Sequence, residues 1–155
     1  MPQLSFIPSA EVGDLAEDVR QLFEELAATL KAEQRAGSGE CRPPLDVFES
    51  DDAIEVVMDL SGVAPEAVRI LFRASVLVIA GEKAGPRPGE SQTFHLVERE
   101  FGRFARAVRV DGAFDLEAAT ATMRDGELTV VLPKRADRRG TAHRIPIATD
   151  NSHSA

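Results

Sequence analysis

Side chains that could act as a nucleophile, a base or an acid pair are sparse in this sequence. Ser91 precedes His95 by four residues, and Asp51-Asp52 and Glu98/Glu100 place carboxyl groups close together in the chain. A serine with a histidine would support acyl transfer, and paired carboxyls would support glycoside hydrolysis. No convergent polar site is visible around either pair. We interpret Ser91 as a loop serine, His95 as a strand histidine and the carboxylates as solvated side chains.

Metal, nucleotide and nucleic-acid sites are not indicated either. The sequence has no HExxH or paired CxxC spacing, and the glycines at 81, 85 and 89 do not lie between a strand and a helix as a phosphate loop would. The basic run Lys134–Arg139 has no interleaved aromatic residues, which favours a solvated tail over a nucleic-acid contact. We therefore predict a protein that is not an enzyme and needs no cofactor or metal.

The composition restricts the class of protein further. The 155 residues, 43% hydrophobic and 28% charged, suffice for one globular domain with arms. The net charge of -8 disfavours binding to nucleic acid or anionic lipid, and no run approaches the roughly 20 apolar residues of a membrane span. The single Cys41 cannot form an internal disulfide, and the start of the chain does not resemble a signal peptide. We expect a cytoplasmic protein.

The motif Ile145-Pro146-Ile147 is the most informative feature of the C-terminal region. Pro146 favours an extended Ile145, and two isoleucines separated by one extended residue point to the same side. Burying each isoleucine contributes about 1.5–3 kcal/mol, whereas ordering the tail costs about 1–2 kcal/mol per residue. The motif predicts a weak, reversible plug for an apolar groove, such as the gap between two sheets at a sandwich edge. Chance occurrence in a tail is the alternative.

An amphipathic helix is predicted from Glu11 to Arg35. Apolar residues recur there at spacings of three and four, with Phe23 beside them, and Gly37-Ser38-Gly39 is expected to end the helix. The residues of this stripe are Val12, Leu15, Val19, Leu22, Leu26 and Leu30.

The periodicity changes to two between residues 44 and 133. Apolar residues alternate along Ile54–Leu60, Val68–Phe72, Phe104–Val110 and Leu128–Leu132, whereas Val76–Ile79 is apolar on both faces. Short strands separated by turn signals indicate an all-β fold, specifically an antiparallel β-sandwich.

Two segments interrupt the strands. Asp125-Gly126 suits a two-residue hairpin turn, because glycine accepts a positive φ. Residues 84–91 contain two prolines and two glycines and cannot lie inside a sheet. Thr93–Glu98 is strand-like again and, beside this flexible segment, could reach a neighbouring molecule. We therefore divide the chain into an N-terminal arm with the helix (1–43), a β-sandwich domain (44–133) and a flexible C-terminal extension (134–155).

Several short motifs occur in an order and spacing that resemble one family. They are Pro44–Glu49, Asp59–Val63, Leu77–Glu82, Glu98–Arg106, Ala121–Val130, Pro133-Lys134 and Ile145–Ile147. In this combination the chain resembles the small heat-shock proteins, the α-crystallin-domain chaperones, over about residues 43–147. Ser61 and Asp111 depart from positions where the family often has proline, and Glu127 replaces an apolar residue.

The resemblance implies an immunoglobulin-like sandwich that dimerises, with dimers assembling into larger, exchanging homo-oligomers. In the bacterial and plant type of this family, a strand in the loop after Gly81-Glu82 swaps onto the partner's sheet. Here that strand corresponds to Thr93, Phe94, His95, Leu96, Val97 and Glu98.

The resemblance also implies a groove that accepts the Ile-x-Ile plug of a neighbouring subunit. The small residues Ala119 and Ala121 would leave room there for Ile145 and Ile147. The implied groove residues are Val68, Ile70, Phe72, Ala119, Ala121, Met123, Gly126 and Leu128.

The function implied is that of an ATP-independent holdase, which binds apolar surface on unfolded or partly folded client proteins under stress. Our candidate contact surface is the helical stripe with Phe6, Ile7 and Phe23, either for clients or for other subunits. The alternative is a β-sandwich interaction module of the p23 type, which usually lacks the Ile-x-Ile tail and stays small.

Overall fold

The structure, a computed structural model, describes residues 9–135 and 144–147, with the side chains of the first helix described from Leu15 onwards. That helix, α1, spans Ser9–Thr29, and two short 3-10 turns span Ala32–Gln34 and Pro65–Ala67. The strands are β1 (Leu45–Glu49), β2 (Ala53–Asp59), β3 (Val68–Arg73), β4 (Val76–Lys83), β5 (Gly102–Arg109), β6 (Thr120–Arg124) and β7 (Glu127–Pro133).

The strands form two antiparallel sheets. One sheet has the order β1-β2-β7-β6, and the other has the order β3-β4-β5. Every neighbouring pair is antiparallel. The predicted antiparallel β-sandwich is thus confirmed. The edges of the larger sheet are β1 and β6, and those of the smaller sheet are β3 and β5.

The main hydrophobic core lies between the two sheets. It is built from alternate residues of each strand, since successive side chains of a strand point to opposite faces. The buried residues contributed by the strands are Ile54, Val56, Met58, Leu77, Ile79, Phe104, Leu128, Val130 and Leu132.

Two tight turns connect strands through residues with positive φ. Asp125 and Gly126 have φ values of 51° and 77° between β6 and β7, which confirms the hairpin predicted there. Ala74 and Ser75 have φ values of 50° and 63° between β3 and β4. The second turn was not predicted, because neither residue is a glycine or an asparagine.

Gly81 lies where β4 passes closest to Phe104. A Cβ atom at this position would lie 2.4 Å from Cζ of Phe104 and 2.6 Å from the carbonyl oxygen of Ala67. Any larger residue would therefore displace either the phenyl ring or the backbone. Gly81 allows the close approach of β4 to the core, next to the buried carboxylate of Glu82.

The prediction that the helix continues to Arg35 is wrong, since α1 ends at Thr29. Lys31 is already extended, with φ -70° and ψ 157°. Leu30 packs against the core between the sheets, and Arg35 forms an ion pair with Glu82. These tertiary contacts turn the chain toward the sandwich before the glycines that were expected to end the helix.

The outer face of the three-stranded sheet is covered by α1. Leu22 of α1 is buried together with Val76 and Val78 of β4. Leu77 and Ile79 point the opposite way, into the core between the sheets. This helix therefore explains why β4 is apolar on both faces.

Candidate functional site

The arrangement of the sheets brings β3 and β6 to the same side of the sandwich. At the other side, Arg106 of β5 donates a hydrogen bond of 2.7 Å to the carbonyl oxygen of Pro43, just before β1. The β5 edge of one sheet thus lies beside the β1 edge of the other. The remaining edges, β3 and β6, are therefore opposite each other.

Three residues of β3 point toward the core without being fully covered. Val68, Ile70 and Phe72 each pair with a core-facing residue of β4, and all three pack against the core. They nevertheless remain half-buried, whereas their partners on β4 are buried. Solvent therefore reaches the inner face of the sandwich along this edge.

The β6 edge of the other sheet is open as well. Ala121 and Met123 of β6 pair with the buried Val130 and Leu128, so both point toward the core. Ala121 is nevertheless exposed, and Met123 and the neighbouring Ala119 are half-buried. The β3 and β6 residues thus line one apolar opening between the sheets, which we call the edge groove. Its occupancy by a plug stays a prediction.

Two of the residues implied for the groove have other positions. Leu128 is buried in the core, because β7 is an interior strand flanked by β2 and β6. It can support the groove from below but offers no side-chain surface to a plug. Gly126 lies in the β6–β7 turn, where an added Cβ atom would be 3.3 Å from Cα of Ser61.

The predicted plug lies in solvent within the single chain. Ile145 and Ile147 are 88% and 93% exposed, and residues 144–147 form no helix or strand. Two β-branched apolar side chains separated by Pro146 are therefore available for burial against another surface.

The strand-like segment Thr93–Glu98 is not a strand within the single chain. All six residues are exposed, including Phe94, Leu96 and Val97. A strand needs a hydrogen-bonded neighbour, and none of the described strands pairs with this segment. The predicted exchange would pair this segment with the sheet of a second copy of the chain, and it stays a prediction.

The helical stripe is in contact with the chain's own sandwich. Leu15, Val19 and Phe23 pack around the buried Leu22, against the outer face of β4 and Leu71 of β3. Leu26 is completely buried, and Leu30 reaches the main core. Phe6 and Ile7 lie outside the described residues, as does the side chain of Val12. The stripe's contacts with clients or subunits stay predictions, but in the single chain its described part is covered.

Ion pairs surround this helix–sheet contact. On one side, Nη1 of Arg73 lies 2.9 Å from Oδ1 of Asp18, and Nη2 of Arg69 donates a 3.0 Å hydrogen bond to Oγ1 of Thr29. Glu25 lies near the same guanidinium, 3.9 Å from Nε of Arg69. These contacts join two parts of α1 to β3, one at Asp18 and the other at Glu25 and Thr29.

A buried carboxylate joins the segment after α1 to the other side of the sheet. Glu82 is only 2% exposed, with Arg35 at 3.2 Å and Arg103 at 3.4 Å. The guanidinium of Arg103 also lies 5.3 Å from the ring centroid of Phe23, within the range of a cation–π contact. Sequence reasoning missed this cluster. Its only local signal is the charged pair Glu82-Lys83 at the end of an otherwise apolar strand.

The described residues bring no catalytic group together around the sequence candidates. Ser91 and His95 are both exposed in the loop between β4 and β5, and Asp51-Asp52 forms an exposed turn before β2. Among residues 9–135 and 144–147, no cluster of three His, Cys, Asp or Glu residues could hold a metal ion. Burial raises the pKa of the Cys41 thiol, which makes its reactive thiolate less abundant. In the same part of the chain, no helix could span a membrane.

Comparison with known proteins identifies the sandwich. The model of the Hsp20/alpha crystallin family matches residues 46–148. The chain is 32% identical over 118 residues to heat shock protein 16 of Schizosaccharomyces pombe, covering 75% of this chain and 82% of that protein. It is 32% identical over 108 residues to an 18.1 kDa class I heat shock protein of Arabidopsis thaliana, covering 69% and 67% of the two chains.

Solved structures agree with this match. A small heat-shock protein from Xylella fastidiosa superimposes with a TM-score of 0.62 at 26% identity, covering 72% of this chain and all of that one. Heat shock protein 16.0 from Schizosaccharomyces pombe gives a TM-score of 0.60 at 31% identity, covering 70% and 99% of the two chains. The resemblance inferred from the short motifs is confirmed.

Proposed function

Because the chain belongs to the Hsp20/alpha crystallin family, we propose that it is an ATP-independent holdase chaperone, which binds non-native proteins under stress and limits their aggregation. The observation that carries this proposal is the presence in one chain of an open edge groove and an exposed isoleucine pair, Ile145 and Ile147. The two surfaces suit each other and would join separate copies. The relatives from Schizosaccharomyces pombe, Arabidopsis thaliana and Xylella fastidiosa are named heat shock proteins, which supports the chaperone role.

The proposed assembly unit is a dimer formed by exchange of Thr93–Glu98. This segment exposes Phe94, Leu96 and Val97, and the edge strand β1, with Phe48 exposed, has a neighbouring strand on one side only among the described residues. Adding the segment to a partner's β1 would satisfy backbone groups on both chains and cover apolar surface.

The proposed higher assembly is held by plug contacts that are individually weak. Each isoleucine contributes about 1.5–3 kcal/mol on burial, and ordering the extension offsets much of this gain. Many such contacts in one oligomer add through effective concentration, so the assembly is stable while single subunits still exchange. Heating would shift the population toward dissociated forms with more exposed apolar surface.

The plug is tested by the double variant Ile145→Ala/Ile147→Ala, compared with Arg144→Ala as an adjacent control. Native mass spectrometry at rest should show a smaller oligomer for the double variant and an unchanged one for the control. An unchanged mass in both would remove the plug from the proposal.

The holdase activity is tested by light scattering of a heat-labile enzyme, without ATP, with and without the protein. We expect suppression at stoichiometric amounts of chaperone. A chain that stays a 16.8 kDa monomer in size-exclusion chromatography and leaves the scattering unchanged would instead favour the p23-type interaction module.

A further inference from the structure

The face of the three-stranded sheet under α1 has an apolar centre surrounded by positive charge, although the protein as a whole is acidic. Its centre is apolar, with Val76, Val78 and Ala80 of β4 and Leu71 of β3. The strand register places four arginines around this centre: Arg69, Arg73, Arg103 and Arg109. We call these eight residues the outer sheet face. Glu82 is the one acidic residue among the outward positions of β3, β4 and β5.

The element seated on this face has the complementary charge. The α1 sequence contains six acidic residues and one arginine, on a chain whose net charge is -8. Its apolar stripe meets the apolar centre, and its carboxylates meet the arginines, with Asp18 at Arg73 and Glu25 near Arg69. The acidic pair Glu17 and Glu24 instead contacts Arg20 on the solvent side of the helix.

We propose that the outer sheet face is a binding surface for client proteins, selective for acidic amphipathic helical segments, and that α1 occupies it at rest as an internal competitor. This inference rests on the proposed holdase function and assigns a client chemistry to one surface. In an otherwise acidic protein, a basic-rimmed apolar face attracts the segments that the rest of the surface repels.

The competition is physically reasonable because α1 can leave without disturbing a strand. From Leu15 onwards, the contacts described between α1 and the sheet are made by side chains, and the ion pairs among them are partly exposed to solvent. Partly exposed ion pairs contribute modestly, so their loss shifts the docking equilibrium rather than unfolding the protein. The apparent affinity of the face for an external segment then rises in proportion to the fraction of chains in which α1 has left.

The test uses the full chain with Asp18→Asn/Glu25→Gln, which loosens α1 and leaves the outer sheet face intact. Glu17→Gln/Glu24→Gln is the matched control, because it removes the same charge from the solvent side of the same helix. The probes are two labelled synthetic 21-residue peptides with identical leucine positions at spacings of three and four. One peptide carries glutamate at its polar positions, and the other carries lysine.

Fluorescence polarisation should show the glutamate peptide binding the loosened variant about fivefold more tightly than the control variant. The lysine peptide should bind the loosened variant and the control variant at least about tenfold more weakly than the glutamate peptide binds the same variant. Equal binding of the two peptides, or equal binding to the loosened and control variants, would overturn the proposal. So would a larger oligomer for the loosened variant than for the control variant, combined with exclusion of the peptide, since the face would then accept α1 of a second copy.

A charge reversal on the sheet provides an independent variant. Arg69→Glu/Arg73→Glu also releases α1, but it should now favour the lysine peptide, whereas unchanged preference for the glutamate peptide would contradict the proposal. Circular dichroism confirms that each variant keeps its strands. Failure of the glutamate peptide to bind a loosened variant that still suppresses aggregation removes this surface alone, whereas absence of suppression by the wild-type chain removes the holdase function itself.

Discussion

The two faces of β4 are buried to a similar degree but are covered by different kinds of structure. On the inner face, Leu77 and Ile79 are 1% exposed beneath the four-stranded sheet; on the outer face, Val76 and Val78 are 6% and 2% exposed beneath α1. Removing the inner cover would require separating two sheets, whereas the outer cover is one helix. Equal burial of the two faces of β4 therefore does not mean that the sheet and the helix that cover them dissociate equally readily.

The two contacts also differ in their electrostatics. The inner contact is almost entirely apolar. The outer contact is framed by ion pairs, including the buried Glu82 between Arg35 and Arg103. Ion pairs near solvent contribute little to stability but depend strongly on partner and geometry. The outer contact is accordingly the one suited to reversible exchange of partners.

The largest effect is expected when the inner contact is broken. Phe104→Ala removes a fully buried ring between the sheets and should lower the free energy of unfolding by about 3–5 kcal/mol. Urea denaturation followed by circular dichroism measures this loss. Ala107→Ser, at an exposed position of the same strand, is the control and should stay within about 0.5 kcal/mol. A loss below about 1 kcal/mol for Phe104→Ala would mean that the sandwich does not depend on this contact.

A smaller and more local effect is expected at the outer contact. Leu26→Ala deletes a completely buried side chain of α1 and should weaken helix docking by about 2–3 kcal/mol. Hydrogen exchange should therefore accelerate in α1 by about thirtyfold or more, while the amides of β2 and β7 are unaffected. Gln21→Ala, exposed on the same helix, provides the reference. Equal acceleration in helix and strands would show that both faces of β4 belong to one cooperative unit and that α1 does not dissociate independently of the sandwich.

The smallest effect is expected at the buried carboxylate. Glu82→Gln removes the charge shared by Arg35 and Arg103 and should destabilise the contact by about 1–2 kcal/mol, because both arginines remain partly solvated. Thermal unfolding and hydrogen exchange of residues 30–36 measure the loss. Glu55→Gln neutralises an exposed carboxylate on β2 for comparison. Unchanged or higher stability would indicate that the cost of burying Glu82 exceeds its pairing energy.

Much of the sandwich could be predicted because strand periodicity is local information. Ile54–Leu60 and Leu128–Leu132 alternate visibly, and Asp125-Gly126 has the residues that a tight hairpin requires. β1 escaped this pattern, because it is an edge strand whose five residues are all exposed or half-buried. The turn at Ala74-Ser75 escaped it as well, because its positive φ values are imposed by the pairing of β3 with β4.

The residues of the candidate site can also be divided into those that the sequence predicted and those that it did not. The isoleucine pair at 145 and 147 was recognisable from three adjacent residues, and small or apolar groove residues such as Ala121 and Ile70 followed from the resemblance. The position of Leu128 beneath the groove, and not on its surface, was not foreseen, since it depends on β7 lying between two other strands.

The amino-acid sequence by itself determined where the strands and the amphipathic helix form, since spacing of apolar residues and turn chemistry act over a few neighbouring positions. Only the tertiary structure decided which surface the helix covers, that Arg35 and Arg103 meet across Glu82, and that the core-facing side of β3 and β6 stays open. Those features depend on residues tens of positions apart being brought together. The free energy of such contacts depends on the packing of the whole chain, so no periodic pattern in the sequence predicts them.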